Sequence, residues 1–185
     1  RDTLASAGIV PRILHMANSG AVVQYPEAHF DMVRTGIHLY GSYSDQGLND
    51  RLHLKQVMKF VSRVALIREF PAGTPLSYGR TFTTEKPTRV AYVPIGYADG
   101  YPRGLSNKGF VLINDHKCFI VGTICMDWFL VDISGLDNCN IGDEVILIGQ
   151  GGAHTITADD LAELTGTIPY EILCKISKRV PRVYV

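Results

Sequence analysis

Two mostly apolar runs, separated by small and polar residues, open the chain. The first covers residues 12–17 and ends in Asn18-Ser19-Gly20, a sequence typical of a loop. The second covers residues 33–40, and residues 20–30 between the runs leave room only for a short helix or turn. A strand, a loop of small polar residues and a helix form the repeating unit of α/β barrels, whose active sites lie at the carboxyl ends of the strands. We therefore expect α/β units over residues 1–41.

The pattern changes to short apolar strands from about residue 54. Residues 42–53 are polar and are interpreted as a linker. The predicted strands are residues 57–70, 89–95, 110–113, 118–124, 128–133 and 144–148. Asn114-Asp115 between two apolar runs indicates a tight hairpin, and the glycine-rich residues 149–152 are interpreted as a hairpin turn rather than a phosphate-binding loop. Short strands joined by turn residues predict an antiparallel barrel or sandwich over residues 54–185.

Helix signals are concentrated near the end of the chain. Thr157 with Asp160 three residues later resembles a capping box, and Gly166 suits the end of the same helix. Pro169 favours the start of a second short helix. Residues 180–185 are apolar enough for a closing strand, which the proline among them restricts to a sheet edge or a bulge.

Composition and charge exclude several classes of protein. The chain has 185 residues, enough for one large domain or two small ones. Its 18 Lys and Arg balance its 18 Asp and Glu, so charge gives no reason to expect a nucleic-acid partner. No apolar run reaches the roughly 18 residues of a transmembrane helix, and no signal peptide opens the chain. Because the first residue is Arg1 rather than Met, we expect a piece of a longer protein.

The cysteines and histidines indicate a reducing compartment and no metal site. Three of the four cysteines lie among apolar neighbours, and none forms a C-x-x-C pair. In a chain of this size such cysteines are usually reduced thiols in the core, which favours a cytoplasmic location. The six histidines are scattered without the spacing of metal ligands, so we expect no zinc site.

Five residues are candidates for chemistry on residue type and position alone. Ser19, in a loop after a strand, suits phosphate binding but also an ordinary polar loop. Arg34 interrupts an apolar run, and an arginine in a buried strand needs either an ion-pair partner or an active-site role. Tyr78, Tyr97 and Tyr170 lie at the edges of loops, where a tyrosine is either a packing group or a general base whose pKa nearby positive charge lowers.

Seven motifs follow one another along the chain. They are His15-x-Ala17-Asn18-Ser19, Asp31-Met32-Val33-Arg34-x-Gly36-Ile37-x-x-Tyr40-Gly41, Ser77-Tyr78-Gly79, Ile95-Gly96-Tyr97-Ala98-Asp99-Gly100, Gly122-x-Ile124-Cys125-Met126-Asp127, Gly142-Asp143-x-Val145-x-Leu147-Ile148-Gly149, and Tyr170-Glu171-Ile172 with Arg179-Val180-Pro181-Arg182. In this order and near this spacing they resemble the C-terminal half of the alanine racemases, which use pyridoxal 5′-phosphate (PLP). The resemblance covers essentially the whole chain.

The resemblance implies a mainly β fold: an antiparallel, barrel-like C-terminal domain preceded by the last strands of a TIM-like (β/α)8 barrel. Residues 1–41 would be the end of the PLP-binding barrel, residues 42–53 a linker, and residues 54–185 the β domain. The implied function is interconversion of L- and D-alanine by two bases, supplying D-alanine for peptidoglycan. The family's PLP lysine, one of the two bases, lies in the N-terminal half that this chain does not contain. We therefore expect the chain alone to be inactive.

The resemblance also implies roles for residues of the predicted β domain. Tyr78 corresponds to the catalytic tyrosine, which acts on the face of the substrate opposite the lysine. Family dimers pair head to tail, so this tyrosine reaches the cofactor of the partner subunit. Met126 and Tyr97 correspond to substrate-binding residues of the same partner site, and Arg103 corresponds to a group near the tyrosine pocket.

Cofactor-binding residues are implied mainly in the predicted barrel. Arg34 corresponds to the arginine that faces the pyridine nitrogen of PLP, and His15 corresponds to the histidine that bonds this arginine. The residues that correspond to the cradle of the PLP phosphate are Ser19, Gly36, Ile37 and Tyr170.

Two other functions stay open at this point. A serine racemase of the same family is one, although the position of Tyr170 then tends to hold a smaller polar residue, so Tyr170 favours alanine. A module that only folds and self-associates is the other, and binding of PLP by the purified chain would distinguish it from part of an enzyme.

Overall fold

A computed structural model describes residues 2–48 and 51–185. The chain divides into two compact units, residues 1–57 and residues 58–185. In the described ranges, no helix has the length and apolar character needed to cross a membrane. The two units are built from different elements.

The first unit contains short α/β elements. They are α1 (Asp2–Ser6), β1 (His15–Asn18), α2 (Ser19–Gln24) and β2 (Met32–Arg34), with 3-10 turns at Pro26–Ala28, Ile37–Tyr40 and Gln46–Leu48. Strands β1 and β2 pair in parallel, as successive barrel strands do. Asn18 ends β1 and caps α2, because its side-chain oxygen accepts a hydrogen bond from the Ala21 amide at 3.0 Å.

The second apolar run of the sequence is a strand only over its first residues. After Arg34 the chain turns at Gly36 and continues as the Ile37–Tyr40 3-10 turn. All three residues of β2 are exposed, Arg34 included. The expectation of a buried strand around Arg34 is therefore wrong for this chain. The apolar run correctly predicts a strand. Among the described residues, however, β2 has only β1 as a hydrogen-bonded neighbour, and its side chains are exposed.

The second unit is mainly antiparallel sheet. Its strands are β3 (Phe60–Arg63), β4 (Leu66–Phe70), β5 (Pro75–Leu76), β6 (Phe82–Thr83), β7 (Thr88–Val93), β8 (Phe110–Ile113), β9 (His116–Phe119), β10 (Phe129–Asp132), β11 (Glu144–Gly151) and β12 (His154–Ile156). One sheet has the order β10-β7-β4, and a larger one has the order β12-β11-β8-β9 with β3 also paired to β11. The predicted antiparallel, mainly β fold of this part is confirmed.

The predicted strand 57–70 is two strands that belong to different sheets. β3 pairs with β11, whereas β4 pairs with β7. The change occurs at Val64 and Ala65, whose amides donate to Asp143 at 2.9 Å and to Tyr92 at 2.9 Å. A continuous apolar pattern does not reveal this break, because the chain stays extended while its pairing partner changes.

Both predicted hairpin turns are present. Asn114 and Asp115 have φ of 49° and 65° between the paired residues Ile113 and His116. Two successive positive φ values define the tight turn whose twist matches that of the flanking strands. The glycine-rich stretch forms the second hairpin, in which Gly151 of β11 pairs with His154 of β12.

The two helices predicted near the C-terminus form as α3 (Ala158–Thr165) and α4 (Pro169–Lys175). Thr157 and Asp160 form a reciprocal capping box, with N–H to side-chain oxygen distances of 3.0 and 2.7 Å. Gly166 ends α3 with a φ of 68°. Residues 180–185 form no strand, so that prediction is wrong. No described strand pairs with these residues, and the Arg182 guanidinium instead donates to the carbonyls of Ile176 and Val180.

Aromatic and aliphatic side chains from both sheets form the main core of the second unit. Tyr101 lies at its centre, stacked on Phe129 at 5.2 Å between ring centroids and edge-on to Phe60 at 6.4 Å. Burial raises the pKa of the Tyr101 phenol, so the ring stays neutral and packs as an apolar group.

Burial separates the four free cysteines by reactivity. Cys118 and Cys139 are 2% and 1% exposed, whereas Cys174 is exposed. Burial, reinforced by Cys139 and Asp132, raises the pKa of the Cys118 thiol to about 12, and burial also raises the pKa of Cys139. Because the thiolate is the reactive form, both thiols should be inert in the folded chain.

We expect iodoacetamide at pH 8 to alkylate Cys174 at least about tenfold faster than Cys118 or Cys139 in the native chain. Mass spectrometry of peptides after timed labelling measures these rates. All four cysteines should react at similar rates in denaturant, which serves as the control. Equal native rates would contradict the burial of Cys118 and Cys139.

Candidate active site

In the first unit, the structure brings Ser19 and Gly36 together at the ends of the two parallel strands. The Gly36 amide donates to the Ser19 hydroxyl at 2.8 Å, and Ser19 is only 4% exposed. The hydroxyl therefore keeps its own proton for an acceptor, and no acceptor for it is found within the described residues. Ile37 begins a 3-10 turn, and the first amides of a helix have no partner inside it. These donors suit an anionic oxygen such as that of a phosphate.

The charged residues beside this cradle are less constrained. Arg34 is exposed, and its guanidinium donates one long hydrogen bond of 3.4 Å to the Met16 carbonyl. His15 is also exposed, and its register partner in β2 is Met32. Within the described ranges the contact of the Arg34 guanidinium is thus to backbone and not to His15. A guanidinium that keeps most of its donors free can bind a ring nitrogen acceptor.

In the second unit, three separate loops carry the predicted site residues Tyr78, Tyr97 and Met126. All three side chains are exposed, by 76%, 45% and 52% respectively. A fourth predicted residue, Arg103, starts a 3-10 turn and is exposed too. Exposed side chains of this kind are available to a ligand or a partner if their loops lie together.

The loop of residues 122–126, here the 122–126 loop, joins these residues. The amides of Tyr97 and Ala98 donate to the carbonyls of Cys125 and Met126 at 3.1 and 3.0 Å. The backbones approach so closely that a Cβ on Gly96 would lie 2.2 Å from the Met126 oxygen. Glycine is therefore required there, and Tyr97 and Met126 are held side by side.

The same loop is bonded to the segments of Tyr78 and Arg103. The Thr123 hydroxyl donates to the Tyr78 carbonyl at 2.9 Å. Ser106, at the end of the 3-10 turn that Arg103 begins, accepts from the Ile124 amide at 2.9 Å. The structure thus brings Tyr78, Tyr97, Arg103 and Met126 onto one hydrogen-bonded group of loops.

Arg179, in the segment after α4, binds two carboxylates of this group of loops. Its guanidinium lies 2.7 Å from the Asp127 carboxylate and 3.3 Å from the Asp99 carboxylate. These carboxylates, Asp127 first, raise the pKa of the Arg179 guanidinium. Asp99 is 7% exposed, and it also accepts from the Gly96 amide at 2.9 Å. Two ion pairs of Arg179 thus connect the turn of Tyr97 with Asp127, the residue that follows the 122–126 loop.

Tyr170 lies elsewhere in the second unit, at the second position of α4, and is 40% exposed. Its predicted companions Ser19, Gly36 and Ile37 belong to the first unit, so its part in a phosphate cradle stays a prediction.

Sequence reasoning assigned no role to several residues that build this group of loops. Asp99, Asp127 and Arg179 lie inside the recognised motifs, and their charges were the signal that could have paired them. Thr123 occupies the variable position of the Gly122-x-Ile124 motif. Asn107, whose side-chain oxygen accepts from the Gly122 amide, lies in no motif. For these two residues the sequence carries no signal, because their contacts depend on loops that meet only in the folded chain.

The sequence matches the models of two protein-family domains. Residues 57–184 match the family model described as alanine racemase, C-terminal domain. This chain belongs to the alanine racemase family. Residues 1–44 match the model of the alanine racemase N-terminal domain, in agreement with the parallel strands of the first unit.

Individual relatives agree with the family model. The alanine racemase of Carboxydothermus hydrogenoformans is 48% identical over 183 residues, which cover 98% of this chain and 50% of that protein. The crystal structure of the alanine racemase from D-cycloserine-producing Streptomyces lavendulae superposes with a TM-score of 0.93 at 43% identity, covering 100% of this chain and 50% of that one. The Bacillus anthracis alanine racemase with bound L-Ala-P superposes with a TM-score of 0.93 at 35% identity, covering 100% and 47%. The chain spans about half the length of the relatives it matches.

We expect Asp99→Ala to lower the free energy of unfolding of the chain by about 1–3 kcal/mol. The substitution leaves the buried Gly96 amide without its acceptor and removes one carboxylate from Arg179. Urea unfolding followed by circular dichroism measures the change. Asp137→Ala, at an exposed acidic residue, is the matched control and should shift stability by less than about 0.5 kcal/mol. An Asp99→Ala midpoint equal to that of the control would refute this role.

Proposed function

We propose that this chain is the C-terminal part of a PLP-dependent alanine racemase and supplies one of its two bases, Tyr78. The observation that carries the proposal is that exposed Tyr78, Tyr97 and Met126 lie on loop segments that hydrogen bonds of the 122–126 loop hold together. An amino-acid racemase needs one base on each face of the α-carbon. An exposed tyrosine can reach the face opposite the first base. The names of the relatives favour alanine over serine as the substrate.

The residues of the first unit fit PLP. When bound, PLP delocalises the electron pair that remains after removal of the α-proton. Ser19, Gly36 and Ile37 would hold its phosphate, and Tyr170 of the second unit is proposed to add its hydroxyl. Arg34 would donate to the ring nitrogen without giving up its own proton, because a guanidinium stays charged. His15 is proposed to hold Arg34 in place once the guanidinium leaves the Met16 carbonyl, and Arg103 to line the approach to Tyr78.

Tyr78 would remove or return the α-proton on one face, while the family's lysine serves the other. Met126 and Tyr97 would hold the substrate beside Tyr78. The high exposure of all three supports a head-to-tail dimer, in which each chain lends them to the cofactor site of its partner subunit.

Residues 1–41 would be the end of the PLP-binding barrel, residues 42–53 a linker and residues 54–185 the β domain. The four free thiols support a reducing compartment, and we propose the cytoplasm. The product D-alanine would serve peptidoglycan synthesis.

The purified chain should show no racemisation of L-alanine above background when supplied with PLP, because the family's lysine base lies in the half that the chain does not cover. Chiral chromatography of D-alanine measures this, with the full-length enzyme as the positive control. Turnover by the chain alone, in a preparation free of host racemase, would contradict the assignment of the second base. An inactive chain that nevertheless shifts the absorbance of PLP would disfavour a purely structural module.

In the full-length enzyme, we expect Tyr78→Phe to lower kcat by about 10²–10⁴-fold, the usual contribution of a positioned base. Because the phenol is exposed, stability should change by less than about 1 kcal/mol. The measurements are kcat and KM for both enantiomers together with incorporation of solvent deuterium. Tyr184→Phe, at another exposed tyrosine, is the control and should retain full activity. Equal activity of the two variants would rule out Tyr78 as the base.

A further inference from the structure

The segment that carries Tyr78, residues 77–80, has an unusual backbone. Ser77, Gly79 and Arg80 have φ values of 61°, 75° and 51°, so three of its four residues are in the left-handed half of conformational space. Serine and arginine are disfavoured there by contacts of their Cβ atoms. A segment of this kind keeps one conformation only when the surrounding structure holds it, so the position of the phenol depends on what binds the segment.

Thr123 binds the segment on both sides of the peptide that joins Ser77 to Tyr78. Its hydroxyl donates to the Tyr78 carbonyl at 2.9 Å, and its carbonyl accepts from the Ser77 hydroxyl at 2.6 Å. Thr123 is 7% exposed, so water competes little for either bond. The segment comes close here, since a Cβ on the adjacent Gly122 would lie 2.7 Å from that of Ser77.

A chain of hydrogen bonds orients the Thr123 hydroxyl. The Asn107 amide donates to the Thr81 hydroxyl at 3.0 Å, and the hydroxyls of Thr81 and Thr123 lie 3.3 Å apart. Because Thr123 gives its proton to the Tyr78 carbonyl, Thr81 is the donor between the two hydroxyls. The side-chain oxygen of Asn107 accepts from the Gly122 amide at 2.5 Å. The chain of donors thus runs from the Gly122 amide through Asn107, Thr81 and Thr123 to the Tyr78 carbonyl.

We infer that Thr123 is a positioning residue for Tyr78, and that its hydroxyl sets the place from which the phenol reaches the α-carbon. This inference rests on the proposed function of Tyr78 as a base. It requires the hydroxyl itself and not merely the shape of the side chain. Valine has the shape of threonine without the hydroxyl, whereas serine keeps the hydroxyl, so the two substitutions separate these contributions.

The test compares Thr123→Val and Thr123→Ser in the full-length enzyme. Thr123→Val should lower kcat by about 10–100-fold, because small displacements of a base are costly, with KM changed less than about threefold. The α-deuterium isotope effect should rise with the enantiomer that Tyr78 deprotonates and not with the other. Thr123→Ser should stay within about threefold of wild type. Thr83→Val, on an exposed residue of β6, is the matched control and should behave as wild type.

Isotope effects distinguish positioning from general damage, because loss of folded enzyme lowers kcat and leaves both effects unchanged. A Thr123→Val enzyme with unchanged isotope effects, or a Thr123→Ser enzyme as impaired as Thr123→Val, would overturn the inference. If Tyr78→Phe retains full activity, the proposed function fails instead.

A measurement that does not depend on turnover decides the positioning in that case. Fluorine NMR of enzyme labelled with 3-fluorotyrosine gives one signal for Tyr78, identified by its loss in Tyr78→Phe. Thr123→Val should shift or split this signal, and Thr123→Ser and Thr83→Val should leave it in place. A Tyr78 signal that does not respond to Thr123→Val would overturn the inference.

Discussion

The hydrogen bonds made by the 122–126 loop support every predicted site residue of the second unit except Tyr170. This loop accepts or donates bonds with the segments of residues 77–81, 96–98 and 106–107. Tyr78 and Tyr97 are 19 residues apart in sequence, yet both depend on the same short stretch of backbone. A change in the loop would therefore move the proposed base and the proposed substrate-binding residues together.

Close backbone approach explains why this support tolerates so little variation. At both Gly96 and Gly122 an added Cβ would lie under 3.0 Å from another loop. Two of the motifs that carried the family resemblance contain these glycines. Their presence thus has a packing reason that is independent of catalysis: the loops must touch before Tyr97 and Met126 can lie side by side.

Local sequence signals predicted many turns and helix ends of the fold. They did not predict which distant segments pair or come into contact. Asn114-Asp115 and the Thr157–Asp160 pair act within a few residues, so both were visible in the sequence and both formed. The exposure of Arg34 and the irregular course of residues 180–185 depend on which partners are available to pair, which an apolar pattern does not encode. Motifs identified the site residues, but Thr123 acquires its role only from a contact with Tyr78 across 45 residues of chain.

The change of partner at Val64 and Ala65 has a consequence for how the second unit unfolds. β3 belongs to the larger sheet and β4 to the smaller one, and only these two residues separate them. Separation of β3 from β11 would also displace β4, because a connection of two residues is too short to absorb the movement. Side chains of both sheets also share one core, so the two sheets should exchange their protected amide hydrogens as one cooperative unit despite their separate ladders of hydrogen bonds.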